Sequence, residues 1–146
     1  MKATWVIVAD KSAARIFSVP SPMGELEEVA TLAHPEGRLH DRDLRTDQPG
    51  QTRDSAGYAM HGMEPKVKPK EQEAMNFARY VAKHIETARV KNQLERVVIV
   101  AAPEFLGNLR NAMEEDTKKI VAGEHSLNVT KLRSEEIRKR LPERLW

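Results

Sequence analysis

The stretch VVIVAAPEFLGNLR, Val97 to Arg110, decides the fold. Val97-Val98-Ile99-Val100 is apolar at both parities, so a strand there needs cover on both of its faces. Strands of that kind sit inside a mostly parallel sheet. Pro103 then opens a helix, because its fixed φ and missing N–H suit a first helical turn. Phe105, Leu106, Leu109 and Met113 recur at the spacing of one buried helix face. Upstream, Ala74, Phe77, Ala78, Val81, Ile85 and Ala88 trace one stripe of a helix from about Glu71 to Lys91. Pro69 sits just ahead of it, Glu71 and Glu73 suit its positive end, Arg89 and Lys91 suit its negative end, and Asn92 can close it. The strand at Arg96 to Ala102 thus lies between two helices and is predicted to be central and parallel to the first strand.

Working outward, Thr4-Trp5-Val6-Ile7-Val8-Ala9 is again apolar on both parities, and Asp10-Lys11-Ser12-Ala13 supplies turn chemistry. Ala14 to Val19 resumes as a strand, Pro20 to Gly24 breaks it, and Glu25 to Ala33 alternates as a third strand. Short connections make these three an antiparallel meander. Ile120 to His125 is a weaker strand. Ser134 is predicted to cap a last short helix that holds Ile137 and Leu141 and stops at Pro142. The order is βββ–loop–αβαβα, an α/β class. A meander feeding two right-handed parallel crossovers matches the ribonuclease H-like architecture, a mixed sheet with helices packed on it.

A chain of 146 residues fits a single domain, 1–146, able to bury roughly 68–70% of its unfolded surface. No apolar run approaches the ~20 residues that cross a bilayer, so no membrane contact is expected. Lys2 is followed too soon by Asp10, Lys11 and Arg15 for a signal peptide, and cytoplasm is the expected compartment. Cysteine is absent, which removes disulfides and thiolate metal sites. The net charge of +2 neither demands nor forbids a polyanionic partner. Near the C-terminus Lys131, Arg133, Arg138, Lys139, Arg140 and Arg144 outnumber Glu135, Glu136 and Glu143, which reads as a solvated helix face or a phosphate-facing patch.

Residues 34–70 show no periodicity. They hold Gly37, Gly50, Gly57 and Gly62 together with Pro35, Pro49, Pro65 and Pro69, and form a long polar loop. Loops of this length in a small domain are usually functional or disordered. Arg38, Arg42, Arg45 and Arg53 recur here beside one aromatic, Tyr58, which suits phosphate contacts to RNA. Asp41, Asp43, Asp47 and Asp54 are interleaved and oppose such contacts.

Other constellations are sparse. Asp10, Glu73 and Glu104 fall at strand ends or helix starts, where a two-metal nuclease would gather carboxylates, but each also suits ordinary turn or helix chemistry. His34, His40 and His61 lie in the loop without a metal-binding spacing, His84 lies off the apolar stripe of its helix, and His125 ends a weak strand. No metal site, cofactor site or phosphate-binding glycine loop is read from these residues.

VIVAAPEFLGNLR also carries a resemblance, as do the opening WVIVADKSAARIF, the helix EAMNFARYVAKHIETAR and the ending SEEIRKRLP. The chain resembles the bacterial host attachment protein family, whose members are similar to the central domain of archaeal and eukaryotic peptide-chain release factors and of Pelota. In those factors a Gly-Gly-Gln tripeptide ahead of the long helix enters the peptidyl-transferase centre and helps water attack the peptidyl-tRNA ester. The corresponding residues here are Pro49-Gly50-Gln51. Proline fixes φ near −65° and removes an N–H, so the departure puts the glycine-pair loop shape in doubt. The resemblance implies a stand-alone, release-factor-like accessory of translation, in termination or rescue, that contacts ribosome or RNA through Arg38, Arg42, Arg45 and Arg53, with Gly50 and Gln51 as the catalytic candidates. The family name implies an alternative, a non-catalytic host-attachment or protein-interaction module. A metal-dependent nuclease is the third reading. Pairing of a meander edge with a second copy is compatible with all three.

Overall fold

β1 (Ala3–Ala9) and β4 (Leu94–Ala101) lie side by side and parallel at the centre of the molecule, with Val6 opposite Val98 and Val8 opposite Val100. The computed structural model describes residues 2–33 and 69–146. β2 (Ala13–Ser18) pairs antiparallel with β1, and β3 (Glu27–Ala33) antiparallel with β2. β5 (Val121–Ser126) is parallel to β4, so the five strands run in the order β3-β2-β1-β4-β5. This is the ribonuclease H-like mixed sheet expected from the pattern of elements.

Alternation of side chains across the sheet explains why β1 and β4 are apolar at both parities. Ile7, Ala9, Ile16, Ile99 and Ala101 face α1 (Pro69–Val90) and α2 (Pro103–Ala112), which contribute Phe77, Val81, Ile85, Phe105 and Leu109 to that core. Val6, Val8, Phe17, Val98 and Val100 point the other way, into a second core closed by Val129, Ile137, Leu141 and Leu145. Ile137 belongs to the short α4 (Ser134–Lys139), so the C-terminal segment forms the third layer.

The helix ends differ slightly from expectation. Pro69 is the first residue of α1 rather than the one before it. Asn92 closes α1 in the left-handed region, φ 61°, the sole positive φ at a non-glycine among the described residues. The Gln93 N–H donates to the Ala88 carbonyl and the Asn92 N–H to that of Arg89, a Schellman-type end. Ser134 is not a cap but the first helical residue of α4. The preceding Arg133 N–H donates instead to the Glu136 carboxylate at 3.3 Å. A four-residue helix, α3 (Glu115–Lys118), has too little periodicity to be read from sequence.

Of the basic residues near the C-terminus, Arg138 is a structural clamp. Its guanidinium donates to the carbonyls of Gly24, Pro142 and Glu143, each at 2.7 Å, tying α4 to the β2–β3 connection. The second core is thus held by few residues, and Ile137 is fully buried in it. Ile137→Ala should cost about 2–5 kcal/mol in urea denaturation. Val29→Ala, on the exposed edge strand β3, should stay within about 0.5 kcal/mol.

Candidate functional site

The carboxyl-terminal edge of the parallel strands is where open α/β sheets place ligands, and the described residues that flank 34–68, Ala33 and Pro69, lie there. Ala33, the last residue of β3, pairs with Ala13 beside the β1–β2 turn, at the same edge as Ala101 of β4. α1 runs back from that edge. The Phe77 ring meets Phe105 in the first turn of α2 at 5.8 Å, while His84, two turns later, meets Trp5 in the first half of β1. Its 22 residues span about 33 Å at ~1.5 Å each, more than the eight residues of β4 reach. Ahead of Phe77, residues 69–71 are exposed and residues 72–76 half-buried, so the first turns of α1 lie at the rim of the core.

At the same edge, Asp10 is fully used by the fold. Its Oδ1 accepts the backbone N–H groups of Ser12 (2.8 Å) and Ala13 (3.0 Å), a tight Asx-type turn joining β1 to β2. Its Oδ2 accepts the Thr130 hydroxyl at 2.6 Å. Arg15, one pair further along the hairpin, donates to the carbonyls of Thr130 (2.7 Å) and Leu132 (2.6 Å) and grips both oxygens of Glu28. Thr31 donates to the same carboxylate, and the Arg15 guanidinium lies over the Phe17 ring. Together these bonds fasten the segment after β5 to the meander. The hydrogen bond from Arg15 holds the Glu28 carboxyl below its ordinary range against the opposing effect of burial.

The other candidate carboxylates do not converge with Asp10. Glu104 is exposed in the first turn of α2, and Glu73 is half-buried in the first turns of α1. Among the described residues no group of three or more His, Cys, Asp or Glu is placed to hold a metal ion. Gly50, Gln51, Arg38, Arg42, Arg45, Arg53, Tyr58, His34, His40 and His61 lie outside the described residues. His84 is exposed, as expected, but stacks on Trp5 with ring centroids 6.2 Å apart. Arg15 was missed as an anchor, because its carbonyl partners lie more than a hundred residues away and no local signal points to them.

Two outcomes follow. Asp10→Ala should lower the unfolding free energy by about 2 kcal/mol, and Asp10→Asn by less because one acceptor oxygen is kept. Glu28 is depressed in the folded state, so its stabilisation is complete above the ordinary glutamate value of 4.5 and is lost as pH falls through the folded value. Wild type should therefore exceed Glu28→Gln in chemical stability near neutrality, and the gap should close on acidification.

In three dimensions the chain is similar to an archaeal translation termination factor, with 16% identity and a TM-score of 0.44 over 97% of this chain and 35% of the other. It is also similar to a second archaeal protein, with 16% identity and a TM-score of 0.45 over 92% and 32% of the two chains. A Ppx/GppA phosphatase of Aquifex aeolicus is similar at 13% identity, with a TM-score of 0.36 over 86% and 36%. The chain spans about a third of the length of these solved chains. No curated protein matches it in sequence. The family described as "Protein required for attachment to host cells" matches residues 5–141, nearly the whole length, and the chain belongs to that family.

Proposed function

We propose that this protein is a cytoplasmic accessory of translation, a stand-alone domain that presents residues 34–68 to the ribosome or its RNA. The observation that carries the reading is the placement of that segment's two ends. Both Ala33 and Pro69 lie on the carboxyl-terminal side of the sheet, Pro69 as the first residue of α1. Two ends held at one edge of a rigid base suit presentation of the residues between them to a partner.

Within the segment, Arg38, Arg42, Arg45 and Arg53 supply phosphate contacts. Gly50 allows close backbone approach and Gln51 offers an amide to orient water at an ester carbonyl. Pro49, in place of a first glycine, stiffens the approach on one side. The second reading, a protein-interaction module in attachment to host cells, is favoured by the description of the family itself.

Sucrose-gradient sedimentation of purified protein mixed with ribosomes tests the first reading. The wild-type chain should travel with ribosomes, and a variant with Arg38, Arg42, Arg45 and Arg53 replaced by glutamine should stay near the top. Wild-type protein remaining in the top fractions, with empty and with stalled ribosomes alike, overturns it. If release chemistry is present, Gln51→Ala should lower peptidyl-tRNA hydrolysis at least tenfold; undiminished hydrolysis removes that role. Exposure to protease on intact cells would support the attachment reading instead.

A further inference from the structure

The end of α1 away from Pro69 carries a second feature. Tyr80, His84, Thr87 and Lys91 succeed one another at spacings of four, three and four, which places them on one face of the helix. Beside them, Trp5 of β1 and Gln93, just ahead of β4, complete a surface cleft of about 310 Å³. Trp5 is half-buried against the His84 ring, at an interplanar angle of 27°. Tyr80 is 44% exposed, while its ring is held by Phe77 at 6.0 Å. An aromatic ring partly open to water while it stacks on a core ring is a ready stacking surface.

The charge around this shelf has one sign. Lys83 and Lys91 line the cleft and no aspartate or glutamate does. Neither lysine is ion-paired with a described carboxylate. Lys2 is exposed at the same edge, because the neighbouring Ala3 N–H donates to the Gln93 carbonyl. Glu95, the nearest carboxylate along β4, is already paired with Arg96. Glu86 lies three residues from Lys83, on the flank of the helix rather than in the cleft.

We propose that this cleft binds single-stranded RNA, with an unpaired base stacked on Tyr80 or the Trp5–His84 pair and flanking phosphates held by Lys83, Lys91 and Lys2. The assignment rests on the reading of the chain as an RNA-associated protein, but it uses none of residues 34–68. Aromatic faces combined with unpaired cations are the recurring means of holding single strands without reading their sequence. Gln93 adds an amide able to hydrogen-bond base edges or the 2′-hydroxyl, and Thr87, whose hydroxyl donates to the Lys83 carbonyl at 2.9 Å, adds an acceptor. An acidic peptide would satisfy the lysines but leave the aromatic shelf unused. The cleft lies at the end of α1 remote from Pro69, and a contact there would add to any made by residues 34–68 on the same RNA.

The test is fluorescence anisotropy of the full chain with a short labelled uridine-rich oligoribonucleotide, alongside tryptophan emission in a Trp146→Phe variant, where Trp5 is the only tryptophan left. Binding should quench Trp5 emission. Tyr80→Ala should weaken binding about fivefold or more. Lys83→Gln with Lys91→Gln should reduce the slope of log affinity against log salt by about 1.4. Duplex RNA should compete poorly, because its bases are not free to stack. The lysines are exposed and their variants should keep the wild-type unfolding midpoint, while Tyr80→Ala, which loses a contact to Phe77, should lower it only slightly. The proposal is overturned by unchanged affinity in the Tyr80 and lysine variants, by equal binding of duplex, or by a polyglutamate peptide that displaces the oligonucleotide as effectively as unlabelled RNA. Oligonucleotide binding without ribosome co-sedimentation defeats the translation reading and leaves this site standing; the converse result does the opposite.

Discussion

The structure depends on burying β1 and β4 on both faces at once. Val6–Ala9 and Val97–Ala101 project Val, Ile and Ala side chains alternately to either side and are fully buried, so this inner part of both strands needs cover on each face. Two covers are therefore obligatory. α1 and α2 provide one. The other is the segment from Val129 to Leu145, in which a helix of six residues is the only regular element. A helix so short has little stability of its own, and it is held by the anchors around it.

Those anchors explain the polar residues of the meander. Arg15 and Asp10 spend their hydrogen-bonding capacity on the stretch from Thr130 to Leu132, and Arg138 returns the favour from α4 to Gly24. Each bond joins parts of the chain more than a hundred residues apart, and each saturates backbone carbonyls or hydroxyls that would otherwise lie unpaired near the second core. A carboxylate at the end of the first strand can look catalytic in a linear reading. Here it is a fastening, with both oxygens occupied.

What was legible in the sequence follows the range of the interactions involved. The strands at Val6–Ala9 and Val97–Ala101, the α1 stripe from Phe77 to Ala88, and the Asn92 terminus are written in neighbouring residues, and they emerged with boundaries within a few positions. α3 was not legible because four residues contain barely one turn. Arg15 and the Trp5–His84 pair were not legible because their meaning arises only when distant segments meet. Trp5 in particular reads as one more apolar residue of a buried strand, although in the fold it stands half-open at the rim. The candidates Gly50, Gln51 and the loop arginines rest on resemblance and composition, and they fall outside the described residues.

The start of α1 has a geometric corollary. The rotational phase of the helix is fixed from Phe77 onward by packing and at Asn92 by the chain reversal, so the direction in which Pro69 points is set by how many residues precede Phe77. With 3.6 residues to a turn, one inserted residue would swing that exit by about 100°, whereas seven would restore it to within roughly 20° while lengthening the mount by about 10 Å. Spacing between Pro69 and Phe77 thus works as an angular setting, and changes of length there should be far less interchangeable than changes of residue type.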